Sequence, residues 1–386
     1  MPFDLHRHDL PPAGASQSGG LLYVLPMGSA DLADAEGQLT AEIAGLNALG
    51  RRVVPFSLQG EAADPAAAAR LARRPFGLAR AMRLALRQRA LPPAEALELG
   101  ARVAEAARRH GCAGIHAPAA DAAATAALVG ARLAGVRASI AGRGREVYAE
   151  GADLALKLAE ADVAVAACAE MAEDFKRLAP RARVRAVPGA VDADWFRPEA
   201  GATRNGRLLC LAPLLPRSGL SVLVEALAAL PPEGRPVVDV IGAGPLLEQL
   251  RAEALERGVT DGLRFLGARG RRWIAQEGQH YLGLVEPGIV APDGDRDPLP
   301  AAVLQAMALE LPVVATSLMG VRELVQPDCG HLVPPGEAVP LARGLRWLGL
   351  MPEELRRRLG RAGRDRVLAG YTLSQRSAGL AQAIAA

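Results

Sequence analysis

The chain has two lysines, Lys157 and Lys176, among 386 residues, so nearly all its cations are arginine. With so much Ala, Leu and Gly, this bias reads as GC-rich bacterial coding rather than function. Cysteine is scarce: Cys112, Cys168, Cys210 and Cys329 lie far apart, with no C-x-x-C pair. That spacing excludes a zinc knuckle and a disulfide framework, and the apolar surroundings of all four suggest small core residues. No apolar run reaches the roughly 18 residues that a membrane-spanning helix needs. The opening "MPFDLHRHDLPPAGASQSGG" lacks the apolar stretch of a signal peptide, so a cytoplasmic protein is expected. Net charge is only +3, which gives no global attraction to nucleic acid.

What is present is 50% hydrophobic residues, enough for two domains with separate cores. Residues 1–19 read as a disordered leader, in which His6 and His8 are a solvated pair. From "LLYVLP" (21–26) onward, short apolar runs alternate with helical patterns. Examples are "GIHAP" before "DAAATAALVGARLAG", and "DVAVAAC" before "AEMAEDFKRLA". Strand–helix alternation of this kind predicts an α/β fold with parallel sheets. The turn-rich "ADWFRPEAGATRNGR" reads as a linker, with Trp195 and Phe196 anchoring it. The expected domains are 20–195 and 205–368, with 369–386 a helix crossing back to the first. Ligands of such sheets bind beyond the carboxyl ends of the strands, so the cleft between two Rossmann-like domains is the expected site.

One stretch combines positive charge with apolar residues. "RLARRPFGLARAMRLALRQR" (70–89) has seven Arg and no acid, interleaved with Leu, Phe and Met. At helical spacing this gives an apolar stripe flanked by cations, which suits either an anionic membrane surface or an ordinary solvated helix.

Four further segments occur in order: "VPGAVDADWFRP", "IGAGPLLEQL…LRFLG", "DGDRDPLPAAVLQAMALELPVVAT" and "GHLVPPGE". Together they resemble the bacterial retaining glycosyltransferases of family four, of the exopolysaccharide branch, which have the GT-B fold. The resemblance implies hexose transfer from a UDP- or GDP-sugar to a glycan or lipid-linked acceptor, with retention. It implies neither metal nor cofactor, the donor on the C-terminal domain and the acceptor on the N-terminal one. Enzymes of this family often dock on the inner membrane, which makes 70–89 a candidate membrane contact. The resemblance points to Asp297 and Arg143 as the catalytic positions. On the donor side it points to Gln305, Gly244, Arg217, Ser218, Leu299 and Glu323.

Several of these positions depart from the family pattern. Pro213 and Ser218 stand where the two diphosphate cations belong, with Arg217 adjacent. Asp297 replaces a glutamate, a variant the exopolysaccharide branch accepts. Gln305 replaces the ribose-binding glutamate, a loss of about 1–1.5 kcal/mol, or roughly tenfold in affinity. Arg143 and Glu146 stand for a His and an Asp, and Glu36 alone survives from a Ser-Glu-Thr-Phe segment. Pro298, Glu310 and Gly288 also differ, replacing two glycines and a serine. Glu310 would repel a diphosphate if it faced the cleft. His116 matches a strand-end His of the family but reads better as a satisfied core residue. The retained scaffold and altered ligand positions leave three expectations. These are an enzyme with an unconventional donor site, a non-catalytic homologue that binds a partner glycosyltransferase or glycan, and a different GT-B enzyme.

Overall fold

The structure, a computed structural model, describes residues 19–25, 32–59, 75–199 and 201–385, with the side chains of 32–36 outside that description. Residues 1–18 of the expected leader at 1–19, with His6 and His8, the side chain of Glu36, and Arg70, Arg73 and Arg74 lie outside these residues.

Two six-stranded parallel sheets form the frame. The first contains β1 (Gly20–Val24), β2 (Val53–Phe56), β3 (Cys112–Ala117), β4 (Arg137–Ala141), β5 (Val163–Ala166) and β6 (Val184–Ala186). Its order is β2-β1-β3-β4-β5-β6. The second contains β7 (Leu208–Leu211), β8 (Val238–Ile241), β9 (Leu263–Phe265), β10 (Leu284–Glu286), β11 (Val313–Thr316) and β12 (Gly330–Val333). Its order is β12-β11-β10-β7-β8-β9. Helices cover both faces, which is why β5, β7 and β11 are apolar at nearly every position and buried throughout. All four cysteines are buried.

Both sheets change direction of strand order at one point. In the second sheet that point lies between β7 and β10, which pair directly through Leu209 and Leu284. Loops leaving two neighbouring strands on opposite courses open a crevice at their carboxyl ends. The loop after β7 carries Arg217 and Ser218; the loop after β10 runs from Pro287 to Pro300.

Two glycines fix the loop after β8. A Cβ on Gly242 would stand 1.9 Å from the Ala212 carbonyl oxygen, and one on Gly244 would stand 2.5 Å from that of Leu214. The glycines let this turn pack against the loop after β7, so a packing requirement explains both. Glu310 sits in a left-handed turn with φ 56°, where glycine is favoured. It follows the helix Ala301–Ala308, at the end away from the β10 loop, and its carbonyl lies against Gly360. Glu310 therefore does not face the cleft.

The C-terminal helix Leu373–Ala385 packs on the first helix, Leu32–Ala48. Arg376 joins them: its Nε and Nη2 meet the Glu42 carboxylate at 2.8 and 2.7 Å. Its Nη1 also donates to the carbonyls of Val187 and Pro188. In the linker Phe196 is buried, whereas Trp195 is 48% exposed. The Arg271 guanidinium lies over both rings, at 5.2 and 5.4 Å. Phe196 is the anchor and Trp195 only its cover.

Candidate functional site

The site begins with the loop after β7. Leu214 N–H donates to the Ala243 carbonyl, which holds the loop against the glycine turn. Ser218 is buried, and its hydroxyl donates to the Pro213 carbonyl at 2.6 Å. The Arg217 guanidinium donates to Asp295 Oδ2 at 3.0 Å. So Arg217, the cation beside the expected diphosphate position, has an internal carboxylate, and the serine closes its own loop.

Asp295 belongs to the loop after β10. Its Oδ2 also accepts from Arg145 of the N-terminal half at 3.4 Å, while Oδ1 has no hydrogen-bond partner among the described residues. Asp293 meets the same Arg145 at 3.4 Å. Arg296 lies 3.9 Å from the centre of the Tyr148 ring, a cation–π contact. Tyr148 in turn donates to Asp174. A Cβ on Gly144 would stand 3.0 Å from the Arg296 carbonyl oxygen. The β10 loop is thus pressed into the segment after β4, and loops of the two halves meet at this crevice.

Asp297 is half-buried in the same loop, with Oδ1 accepting the Leu299 N–H at 3.1 Å. Leu299 packs near Gly189 and Gly320, so it is an apolar wedge at the junction. Gln305 lies on the following helix and is 8% exposed, with no side-chain hydrogen bond among the described residues. Gly244 supports the loop through packing. Glu323 accepts the Ala169 N–H at 2.8 Å, at the start of the helix Ala169–Leu178 in the other half. Beside it Arg322 pairs with Glu170. Glu323 therefore ties the halves together. Arg143 donates through Nε to the Pro118 carbonyl at 2.9 Å, on the N-terminal side of the crevice. Glu146 accepts the N–H groups of Arg143 and Gly144 and shapes that loop.

Beneath Arg143 lies a buried polar cluster. His116 is fully buried, with Nδ1 2.7 Å from the Ser139 hydroxyl. Burial pushes its pKa down to about 4, so it is neutral at pH 7. Tyr23 donates to Glu42 Oε1 at 2.5 Å. Burial alone would raise the Glu42 carboxyl, but Arg376, His116 and the Tyr23 hydroxyl together hold it at about 2.

One residue the sequence reading passes over is Glu286, the last residue of β10. Burial, with the Asp297 charge second, pushes its carboxyl up to about 8. A carboxylate ending an apolar strand, in "LGLVEPG", was the available signal. Arg145 and Asp295 had no such signal, because their partners come from the other half of the chain. Among the described residues no three His, Cys, Asp or Glu side chains are placed to hold a metal ion.

Comparison with known proteins follows the same division. Residues 192–366 match the family described as glycosyl transferases group 1. Over 138 residues the chain is 32% identical to the amylovoran biosynthesis glycosyltransferase AmsK of Erwinia amylovora, covering 35% of this chain and 34% of that protein. Over 217 residues it is 31% identical to a GDP-mannose-dependent alpha-(1-6)-phosphatidylinositol monomannoside mannosyltransferase of Mycobacterium tuberculosis, covering 52% and 56%. The matches thus span about a third to a little over half of these relatives' length. Sucrose-phosphate synthase from Thermosynechococcus elongatus superposes with TM-score 0.69 at 18% identity, over 94% of this chain and 98% of that one. Anabaena HepE, solved with UDP and glucose, gives 0.71 at 16% identity, over 95% and 100%. The chain therefore has the GT-B fold, and its residues 192–366 match the group 1 glycosyltransferases in sequence.

Proposed function

We propose that the chain transfers a hexose from a UDP- or GDP-sugar to a bacterial glycan or lipid-linked acceptor, with retention at the anomeric carbon. One observation carries this reading. Arg217, Asp295, Asp297 and Glu286 gather at the carboxyl ends of β7 and β10, where the strand order switches. In this reading the diphosphate faces Arg217 and the backbone N–H groups that open the helix Ala301–Ala308. Asp297 meets the donor sugar, Gln305 the ribose, and Arg143 approaches from the acceptor side. The relatives and neighbours support either base, since one is a GDP-mannose-dependent mannosyltransferase and another is solved with UDP. Calorimetric titration with UDP, GDP, UDP-glucose and GDP-mannose tests the reading. Saturation by one of them below about 1 mM is expected; silence from all four would sink it.

A second reading has its own support. Arg217 is paired with Asp295 and Ser218 with the Pro213 carbonyl, so the usual phosphate contacts are used internally. That favours a non-catalytic homologue acting as the binding subunit of a partner glycosyltransferase. Silence from all four nucleotides, with the fold intact by circular dichroism, is its expected signature.

The same proposal extends to a membrane surface. The helix Pro75–Arg87 buries Ala81, Leu84 and Ala85 and leaves Phe76 88% and Leu86 70% exposed, with Met82 beside them. Arg80 and Arg83 are exposed on the same helix. Among the described residues no helix is long and apolar enough to cross a membrane, so contact would be peripheral, at the cytoplasmic side of the inner membrane. Vesicles containing phosphatidylglycerol should retain the protein, and neutral vesicles should not. Arg80→Gln with Arg83→Gln should weaken retention by roughly thirtyfold, at about 1 kcal/mol per arginine.

A further inference from the structure

Glu286 is out of place for an inner strand. Leu284 and Val285 before it are fully buried, and Glu286 itself is only 5% exposed. Its position is explained by Gly288. A Cβ on Gly288 would stand 3.1 Å from Glu286 Oε1 and 3.8 Å from the Thr316 hydroxyl. The carboxyl therefore sits beside the space that a side chain at 288 would fill. The Gly288 backbone is held from two sides: its N–H bonds to the Glu286 carboxyl, and its carbonyl accepts the Thr316 hydroxyl at 2.6 Å. Next in the chain, Ile289 N–H donates to the Arg217 carbonyl at 2.8 Å. Gly219 comes so close that a Cβ there would stand 1.9 Å from the Pro287 carbonyl oxygen. The turn that Glu286 holds is thus clamped to the loop bearing Arg217 and Ser218.

The charges around this turn are nearly balanced. Asp297, Asp295 and Asp293 come from the β10 loop, Arg217 from the loop after β7, and Arg145 from the other half. Cys210 of β7 senses the Glu286 charge, and burial keeps its thiol neutral. Glu286 decides whether the crevice carries one more negative charge.

We propose that Glu286 sets the protonation state in which the crevice takes a phosphorylated ligand. The neutral carboxyl is the binding-competent form, and its ionisation beside Asp297 expels the anion. This rests on the nucleotide-sugar reading above. The sign follows from burial: the carboxyl keeps its proton up to about pH 8 and loses it above. Anion affinity should then fall as pH rises through that value, and binding near pH 8 should take up a proton.

The test is calorimetric titration of the full chain with UDP and with GDP at pH 7.5 and 8.5. Both values lie above the second phosphate ionisation, near 6, and below the ionisation of the uracil and guanine rings, so the ligand charge stays nearly constant. Wild-type affinity should fall roughly threefold between them. Glu286→Gln keeps an oxygen for the Gly288 N–H and cannot ionise, so its affinity should change less than about twofold. Titration of wild type at pH 8 in two buffers of different ionisation enthalpy reads the proton directly, even if the variant folds poorly. Proton uptake supports the proposal. Flat wild-type affinity, an equal fall in Glu286→Gln, or absence of uptake overturns it while leaving the nucleotide reading intact. Failure of wild type to bind either nucleotide at both pH values overturns that reading and this one with it.

Discussion

Asp295 is the residue on which the crevice turns. It accepts from Arg217 and Arg145, one from each half, and so neutralises the cation that a diphosphate would need. Asp295→Asn keeps the shape and removes the charge. It should raise UDP affinity about fivefold to tenfold in calorimetry, since a charge-assisted bond is worth about 1.5–3 kcal/mol and the ligand regains only part of it. An unchanged affinity would mean that Arg217 points away from the ligand. Installing Lys at Ser218 is a poorer experiment, because that side chain is buried against the Pro213 carbonyl. Glu310 gives an independent check on a single turn. Its left-handed backbone costs a side-chain residue about 1–2 kcal/mol, so Glu310→Gly should raise the melting temperature by a few degrees. Sequence comparison alone left open whether Glu310 faced the cleft. Its place at the far end of the helix Ala301–Ala308, against Gly360, resolves that, and depends on packing that no single position encodes.

Among the elements, the crossing helix Leu373–Ala385 depends most on one side chain. Arg376 reaches Glu42, which is nearly fully buried, together with two carbonyls after β6. Arg376→Ala would leave the buried Glu42 carboxylate without its ion-pair partner, at a cost of about 3–5 kcal/mol. Calorimetry should show the loss mainly in the unfolding of the first sheet and its helices. Arg376→Lys should recover little, because an ammonium cannot reach the carboxylate and both carbonyls in the forked geometry. The helices and strands were largely legible in the sequence, because a buried parallel strand between helices has to be a short apolar run. The crossing of the last helix was expected, but its attachment was not. Arg376 and Glu42 are 334 positions apart, and neither lies in a motif.

For the whole molecule, two buried carboxyls with opposite shifts shape stability against pH. Glu42 is ionised in the folded state down to about pH 2, whereas the unfolded group takes its proton near 4.5. Its contribution is therefore complete above 4.5 and lost as pH falls toward 2. Glu286 holds its proton up to about 8 when folded and would lose it near 4.5 when unfolded. Stability from this group declines as pH rises from about 4.5 to 8 and then levels off. Scanning calorimetry from pH 3 to 9 should show the half containing β7 to β12 losing melting temperature over the upper window. Glu286→Gln should flatten that decline and leave the low-pH limb unchanged. A decline of equal size in the variant would assign it to another group.

By itself the sequence determined the α/β architecture, the parallel sheets and the resemblance to a glycosyltransferase family. These follow from local periodicity, apolar runs and glycine turns, which each segment carries on its own. It also singled out Asp297, Gln305, Arg217 and Ser218 as the residues to watch, because they stand in an ordered motif. What only the tertiary structure decided is how those residues are used. Arg217 meets Asp295, Ser218 closes its own loop, Glu323 joins the halves, and Glu286 is buried beside Gly288 and the Asp297 charge. Charge compensation and desolvation depend on distances between distant parts of the chain. They take a value only once β7 and β10 lie side by side and loops of the two halves meet.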